Sequence, residues 1–223
     1  MANTRLAVVA SALFAIFARS VVGDTCATVA DTTAIDIKYR LELEYTDEQL
    51  NYWSTGCGNL KPSCQLYPTT ASEVAAVVKI LHDNNETFAI KSGGHNANKY
   101  FASVDGGPLI STKYLNEVTL DSASMTVRVG PGNDWQDIHK ALDGTGVTVV
   151  GGRIGDVGVG GYVVGGGLSF LSTQYAWAAY VTPKYEVCRG CVTTLHVPRP
   201  PRTETPIDEL ADSCLGTTLS NTR

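Results

Sequence analysis

Glycine is concentrated in one short stretch of this chain. Of the 22 glycines among 223 residues, 11 fall between Gly144 and Gly167. Because glycine has no Cβ, it lets the main chain approach another group closely at any φ. A flexible linker is the alternative interpretation, but linkers combine glycine with serine and other polar residues. Over residues 151–167 glycine alternates with Val, Ile and Tyr, which favours ordered backbone packed around a ligand.

Composition excludes several classes of protein. The chain is long enough to bury a hydrophobic core, and its 43% hydrophobic and 17% charged residues are not typical of a disordered polyampholyte. The glycines have no G-X-Y period, which excludes collagen. A net charge of −5 offers no electrostatic surface for nucleic acid, so we expect no nucleic-acid partner.

The first 23 residues have the pattern of a secretory signal peptide. Arg5 precedes an apolar run over residues 6–18, and small residues precede Asp24. A membrane anchor is the alternative, but the run is shorter than the ~20 residues that a spanning helix needs. We therefore predict cleavage near Gly23, a secreted or secretory-pathway protein, and no membrane association after cleavage.

Six cysteines fit the oxidising compartment that a signal peptide implies. Many pairings are possible, and we prefer Cys26–Cys64 because it would join the N-terminal arm to the start of the domain. Cys188 and Cys191 have CxxC spacing, but a zinc site would want a second pair or nearby histidines, and the surrounding prolines argue against a redox motif. No metal site is predicted. An N-glycosylation sequon, which predicts a glycoprotein, begins at Asn85.

Hydrophobic periodicity predicts a mixture of helices and strands, an α+β fold. Apolar residues recur at helical spacing over residues 70–84, with Ser72 as the expected N-cap. A second helix is predicted with Asp134 as its cap, and a short one beginning near residue 46. The predicted strands are 87–91, 109–111, 118–120, 126–129 and 147–150, of which 118–120 and 126–129 form a hairpin.

Three segments carry the chemistry, and none matches a Walker A loop, a GxGxxG turn or a GxSxG elbow. Residues 90–96 read Ile-Lys-Ser-Gly-Gly-His-Asn, a strand that ends in a turn whose N–H groups suit phosphate oxygens. This turn holds His95 on a loop, although a histidine without chemistry is the alternative. Residues 130–135 form a strand-to-helix turn that can face an anion. The third segment is the glycine-rich stretch, 151–167.

In this order and spacing, the three segments resemble the FAD-binding domain of the oxygen-dependent FAD-linked oxidoreductases. This is the berberine-bridge-enzyme-like group of the vanillyl-alcohol-oxidase superfamily, with a PCMH-type domain, and it includes fungal secondary-metabolite oxidases. Residues 64–68, Cys-Gln-Leu-Tyr-Pro, are similar to the opening of that domain, and residues 168–177 continue the match. The resemblance covers residues 50–179.

The resemblance implies a role for each segment. His95 matches the histidine that is linked covalently to the 8α-methyl of FAD, a link that prevents flavin loss and raises its potential. Backbone groups in two runs would contact the cofactor, namely Lys91, Ser92, Gly93, Gly94 and Asn96, and Gly158, Val159, Gly160 and Gly161. Ile154 stands where some relatives have a second linking cysteine, so a single attachment is expected. Val157 stands where relatives are thought to gate oxygen. No catalytic residue is implied.

These features divide the chain into a signal peptide (1–23), an N-terminal arm (24–59), a partial FAD-binding domain (60–179) and a tail (180–223). The tail holds five of the nine prolines and eight threonines, which predicts disorder. Relatives continue with further strands and a second domain that carries the substrate cavity. The chain is therefore expected to be truncated.

The function that the resemblance implies is that of an FAD-linked oxidase. Hydride would pass from a small organic substrate, such as an alcohol, a sugar or a secondary-metabolite intermediate, to covalently bound FAD and then to oxygen. One alternative is a catalytically inactive remnant, because nothing would position a substrate. A secreted cysteine-rich interaction protein, which would bind no flavin, is the other.

Overall fold

Two sheets, each packed against helices, make up the part of the chain that a computed structural model describes, residues 25–188, 194–198 and 219–222. The helices are α1 (Thr25–Thr32), α2 (Leu43–Leu50), α3 (Thr55–Gly58), α4 (Ala71–Asp83), α5 (Trp135–Leu142), α6 (Val159–Val164), α7 (Ser172–Tyr175) and α8 (Ala178–Val181). The strands are β1 (Asp36–Lys38), β2 (Gln65–Tyr67), β3 (Ala89–Lys91), β4 (Leu109–Ser111), β5 (Val118–Asp121), β6 (Thr126–Val129), β7 (Lys184–Cys188), β8 (Thr194–Pro198) and β9 (Leu219–Thr222). The α+β prediction is confirmed. The predicted signal peptide, Cys191 and Cys214 lie outside the described residues.

The first sheet has the strand order β1-β2-β4-β3, with β4 parallel to both β2 and β3 and β1 antiparallel to β2. One face packs against α1 and α4 through a buried apolar core. Its members include Val29, Leu66, Val74, Val77, Val78, Leu81 and Ile110. A disulfide joins Cys26 of α1 to Cys64, just before β2, as predicted.

The opposite face of the first sheet is polar, and α2 packs on it. The side chain of Gln65 in β2 donates to the carbonyl oxygen of Tyr45 at 3.2 Å and to the side chain of Gln49 at 3.3 Å. Strand β1 and helix α2 both belong to the predicted N-terminal arm. The arm is therefore built into the first sheet and is not a separate extension.

The second sheet has the strand order β5-β6-β9-β7-β8, and its paired strands are antiparallel. The predicted hairpin is present, with Val118 opposite Val129. Helix α5 and helix α6 pack on this sheet through a second apolar core. Its members include Val127, Val129, Trp135, Ile138, Leu142, Val159 and Val163. Within the described residues, no helix combines the length and the apolar character that crossing a bilayer needs.

Two local predictions need correction. The N-cap of α4 is Thr70 instead of Ser72, because the Thr70 hydroxyl accepts the backbone N–H of Glu73 at 3.2 Å. Thr70 and Glu73 form the T-x-x-E pattern of a capping box, a signal that was available in the sequence. Residues 147–150 form no strand, because Val149 and Val150 are buried in the second core without a partner strand.

The structure differs from the prediction of disorder at the start of the segment 180–223. Strand β7 lies in this segment, and its Val187 and Cys188 side chains are almost completely buried. Four of the five prolines of the segment lie at or beyond Pro198. The composition that predicts disorder therefore belongs to the later part of the segment and does not describe β7.

Candidate functional site

A cleft of about 690 Å³ lies between the loop after β3 and the glycine-rich stretch that leads into α6. The β3 loop contributes Ser92, Gly93, Gly94, His95 and Asn96, and the opposite wall contributes Val157, Gly158, Gly160, Gly161, Tyr162 and Val164. Pro131 of the second predicted segment lines the cleft between them, and Phe88, Tyr100 and Phe101 add aromatic surface. The fold thus brings the three predicted segments together in one place.

The two glycine walls approach each other closely through their backbones at Gly93 and Gly158. A Cβ on Gly93 would lie 2.4 Å from the backbone nitrogen of Gly158, far inside van der Waals contact. Hydrogen bonds tie both walls to the second segment. Ser92 Oγ donates to the Pro131 carbonyl at 2.6 Å, and the Val159 N–H donates to the Asn133 carbonyl at 2.9 Å.

Two features of the backbone leave the cleft ready for a ligand. A Cβ on Gly161 would meet no protein atom within 4 Å, so this glycine faces open space. Within the described part of the chain, the backbone N–H groups of residues 93–95 donate no hydrogen bond. Adjacent free amides in a turn are suited to an anion such as phosphate.

His95 is half-buried on the cleft wall. Its ring lies beside the indole of Trp53, with ring centroids 5.6 Å apart. The Trp53 N–H donates to the carbonyl of Gly94 at 3.2 Å, which holds the loop just before the histidine. Asp134 is part-buried beside Gly93, and burial, followed by the charges of Asp137 and Asp156, raises the pKa of its carboxyl.

Two of the predicted site residues, Lys91 and Val159, have side chains that point away from the cleft. The side chain of Lys91 is buried against Glu48, with Nζ 2.8 Å from Glu48 Oε1. Val159 packs in the second core with none of its surface exposed, so only its backbone is near the cleft. Asn96 lines the rim, but its Oδ1 accepts the Asn98 N–H at 2.9 Å. Val157, which stands at the position expected to gate oxygen, lines the cleft. Ile154, which stands where some relatives have a second linking cysteine, is exposed and does not line the cleft.

Several glycines of the cluster make room for aromatic rings, which the sequence interpretation missed. A Cβ on Gly152 would lie 2.3 Å from Trp135 Cδ1, and one on Gly167 would lie 2.5 Å from Tyr162 Cε1. The rings of Trp135 and Tyr162 meet edge to face with centroids 4.8 Å apart. Burial raises the pKa of Tyr162 to about 12. Packing inside the protein therefore accounts for Gly152 and Gly167 without a ligand.

No group of three or more His, Cys, Asp or Glu side chains placed to bind a metal ion occurs among residues 25–188 and the two short later segments. The chemistry available at the cleft is instead that of free backbone amides, one imidazole and an aromatic wall. This combination suits a large ligand that carries both an anionic group and a flat ring system.

Comparison with known proteins agrees with this description. An FAD-linked oxidoreductase of Arthroderma benhamiae is 46% identical over 145 residues, which are 65% of this chain and 29% of that protein. The solved structure of 6-hydroxy-D-nicotine oxidase from Arthrobacter nicotinovorans is similar in fold, with a TM-score of 0.73, 24% identity, and coverage of 86% of this chain and 42% of that one. Berberine bridge enzyme from Eschscholzia californica is similar to the same degree, with a TM-score of 0.73, 17% identity, and coverage of 89% and 43%.

A family model described as an FAD binding domain matches residues 62–188, more than half of the chain. The match extends nine residues beyond the boundary predicted at residue 179 and ends with strand β7. The chain spans less than a third of the length of the Arthroderma relative. The likeness to berberine bridge enzyme is one of fold. The predicted FAD-binding domain is confirmed, and this chain belongs to the FAD binding domain family.

Proposed function

We propose that this chain binds FAD in the cleft between the β3 loop and α6. It would act as the FAD-binding part of a secreted FAD-linked oxidase. The observation that carries the proposal is the convergence of the three segments on one cleft. The free amides of residues 93–95 suit the pyrophosphate, and the open space at Gly161 allows close approach of the cofactor to the backbone. Ser92, Gly94, Asn96, Gly158 and Gly160 line the same walls.

His95 is the proposed point of a single covalent attachment to FAD. It is the one histidine on the cleft wall among the described residues. The link would replace an imidazole N–H bond and a C–H bond of the 8α-methyl with a C–N bond, and the two hydrogens would leave with oxygen as hydrogen peroxide. Because Ile154 is exposed and has no thiol, it offers no second attachment.

The proposed substrate is a small organic molecule, such as an alcohol, a sugar or a secondary-metabolite intermediate. When bound, FAD accepts a hydride from such a substrate and returns the electrons to oxygen. The contribution of this chain is to bind and orient the cofactor. Tyr100 and Phe101 are 57% and 70% exposed at the mouth of the cleft, so the described residues leave this wall open. That openness supports the alternative of FAD binding without turnover.

Acid denaturation of the purified protein tests the covalent link. We expect flavin absorbance to remain with the precipitated chain, and the His95→Ala variant to lose it. His82→Ala is the matched control, because His82 is exposed on α4, away from the cleft. Flavin that is released completely from the wild-type protein, even with FAD supplied during expression, would contradict the link. Steady oxygen consumption with an alcohol, phenol or sugar would exclude the alternative without turnover.

We also propose that this protein is secreted and that it carries a glycan at Asn85. Asn85 is exposed in the turn after α4, and the Cys26–Cys64 disulfide fits an oxidising compartment. In a eukaryotic secretory host we expect an endoglycosidase-sensitive shift in mass. The Asn85→Gln variant should lack that shift, whereas a shift that persists in the variant would place the glycan elsewhere.

A further inference from the structure

We infer that the buried ion pair between Glu48 and Lys91 positions His95 for the flavin link, so that helix α2 of the N-terminal arm is part of the cofactor site. The inference rests on the proposed function. Glu48 lies before the residues that the FAD binding domain family matches, which begin at residue 62. Neither residue lines the cleft, so both are positioning residues.

The ion pair is closed off from water on every side. The side chains of Lys91 and Glu48 are only 1% and 5% exposed. Lys91 Nζ lies 2.8 Å from Glu48 Oε1 and also donates to the Glu48 carbonyl at 3.2 Å. Ser111 Oγ of β4 donates to the same carboxylate oxygen at 2.9 Å. The pair therefore fixes α2 to the ends of β3 and β4.

The side chain of Lys91 also supports the loop that carries His95. A Cβ on Gly94 would lie 2.8 Å from Lys91 Cε and 3.0 Å from the carbonyl of Asn51, so Gly94 is held between the lysine and the segment after α2. Gly94 has a φ of +66°, a conformation that side-chain-bearing residues rarely adopt. The Lys91 side chain therefore packs closely against Gly94.

The segment after α2 reaches the histidine from the other side. Lys91 Nζ lies 4.5 Å from the centroid of the Tyr52 ring, and the Tyr52 hydroxyl donates to the Ala102 carbonyl at 2.8 Å. The next residue, Trp53, packs beside the ring of His95. Lys91, Tyr52 and Trp53 thus form a continuous set of contacts from the ion pair to the imidazole.

Loss of one charge would disturb this arrangement. Without the Glu48 carboxylate, the buried ammonium is left unpaired, and because an unpaired charge is unfavourable in the interior, the lysine side chain is driven to move towards water. Covalent bond formation requires the reacting atoms in near-attack geometry, and a misplacement of about 1 Å can slow it about 100-fold. The link to FAD is therefore more sensitive to the ion pair than reversible FAD binding is.

The experiment compares Glu48→Gln with Tyr45→Phe in the full chain. Tyr45 is buried on the same helix and donates to the Pro62 carbonyl at 2.9 Å, so its variant loses a buried hydrogen bond without touching the His95 loop. After incubation with free FAD, we expect the acid-stable flavin to fall about tenfold or more in Glu48→Gln and to stay near wild type in Tyr45→Phe. Lys91→Arg keeps the positive charge opposite Glu48, so this variant should retain a large part of the wild-type amount of acid-stable flavin.

The double variant Glu48→Leu/Lys91→Met covers the case in which Glu48→Gln does not fold. Replacing both charges with apolar residues is often tolerated by a protein interior. We expect this variant to quench the fluorescence of added FAD, which reports reversible binding, but to form little acid-stable flavin. A link at the wild-type level in Glu48→Gln or in the double variant would overturn the inference.

A second readout does not depend on flavin. The ring protons of His95 lie beside the Trp53 indole and should show a ring-current shift in the NMR spectrum, assigned by its loss in His95→Gln. We expect Glu48→Gln to change this shift and Tyr45→Phe to preserve it. If the wild-type protein forms no link, the proposed attachment fails while this shift still decides the positioning role. A shift unchanged in Glu48→Gln would overturn the inference in either case.

Discussion

Gly93 and Gly158 exclude a side chain from each other's position. A Cβ on Gly158 would lie 2.2 Å from the backbone nitrogen of Gly93, and a Cβ on Gly93 would lie 2.6 Å from Gly158 Cα. The two residues are 65 positions apart in the sequence, and each belongs to a different wall of the cleft. Glycine at both positions therefore sets the spacing of the two walls.

Alanine substitutions at Gly158 and Gly161 should distinguish a glycine needed for packing within the protein from a glycine that faces the ligand. We expect Gly158→Ala to lower the urea midpoint of unfolding without FAD, because the β3 loop must move to admit the methyl group. Gly161→Ala should keep or raise that midpoint, since the position faces open space within a helix. Fluorescence titration with FAD should nevertheless show weaker binding in Gly161→Ala. Equal midpoints for the two variants would contradict the close contact.

The Cys26–Cys64 disulfide should contribute substantially to stability. The cysteines are 38 residues apart, and closing a loop of that size stabilises a fold by about 4 kcal/mol in the chain-entropy description. We expect the Cys26→Ser/Cys64→Ser variant to unfold at a clearly lower denaturant concentration than the oxidised wild-type protein. Reduction of the disulfide in the wild-type protein should lower its unfolding midpoint in the same way. Unfolding midpoints that do not respond to a reductant would contradict this contribution.

Glu73 should make stability depend on pH. The Thr69 N–H donates to its carboxylate at 2.6 Å, and this hydrogen bond lowers the pKa of Glu73 below its ordinary value of 4.5. A lowered pKa in the folded state stabilises the fold above pH 4.5, and the contribution is lost as pH falls through the folded-state pKa. Urea unfolding should show Glu73→Gln less stable than wild type at pH 7, with the gap closing in acid.

Thr70→Ala is the control for Glu73. It removes the hydroxyl that caps α4 and should cost about 1 kcal/mol. Because a hydroxyl does not titrate in this range, most of that cost should persist from pH 7 into acid. A Glu73→Gln gap that also persists in acid would show that the carboxylate charge is not responsible.

Asp134 should have the opposite dependence. Burial raises the pKa of its carboxyl above 3.8, and its side chain makes no capping hydrogen bond at the start of α5. A raised pKa in the folded state means that stability is greatest below the ordinary pKa and falls as pH rises through the folded-state pKa. We therefore expect Asp134→Asn to gain stability relative to wild type as pH rises from 3 to 7. A gain that does not change with pH would exclude ionisation as its cause.

Local patterns in the sequence were sufficient for some elements. Helix α4 and the β5–β6 hairpin follow from apolar spacing and turn residues that lie within a few positions of one another. The three segments, taken in order, were sufficient to indicate the family through their resemblance to a known FAD-binding domain.

Other features depend on residues that are distant in the sequence. Glu48 and Lys91 are 43 positions apart, and no periodicity connects them. For the same reason, the sequence could not distinguish Gly152, which makes room for Trp135, from Gly161, which faces open space. The role of each glycine depends on the residue that packs against it in the fold, and the sequence around the glycine does not identify that residue.

The ion pair on the polar face of the first sheet also determines where a recombinant fragment of the domain can begin. A recombinant fragment that starts at residue 60 would contain Lys91 and Ser111 but not the carboxylate they share. It would also lack β1, leaving the edge of β2 unpaired. Such a fragment would also lack α2, which covers Lys91, so the lysine would lose its counter-ion and the polar face of the first sheet would be open to water. A fragment that keeps both the ion pair and β1 therefore has to begin before Asp36.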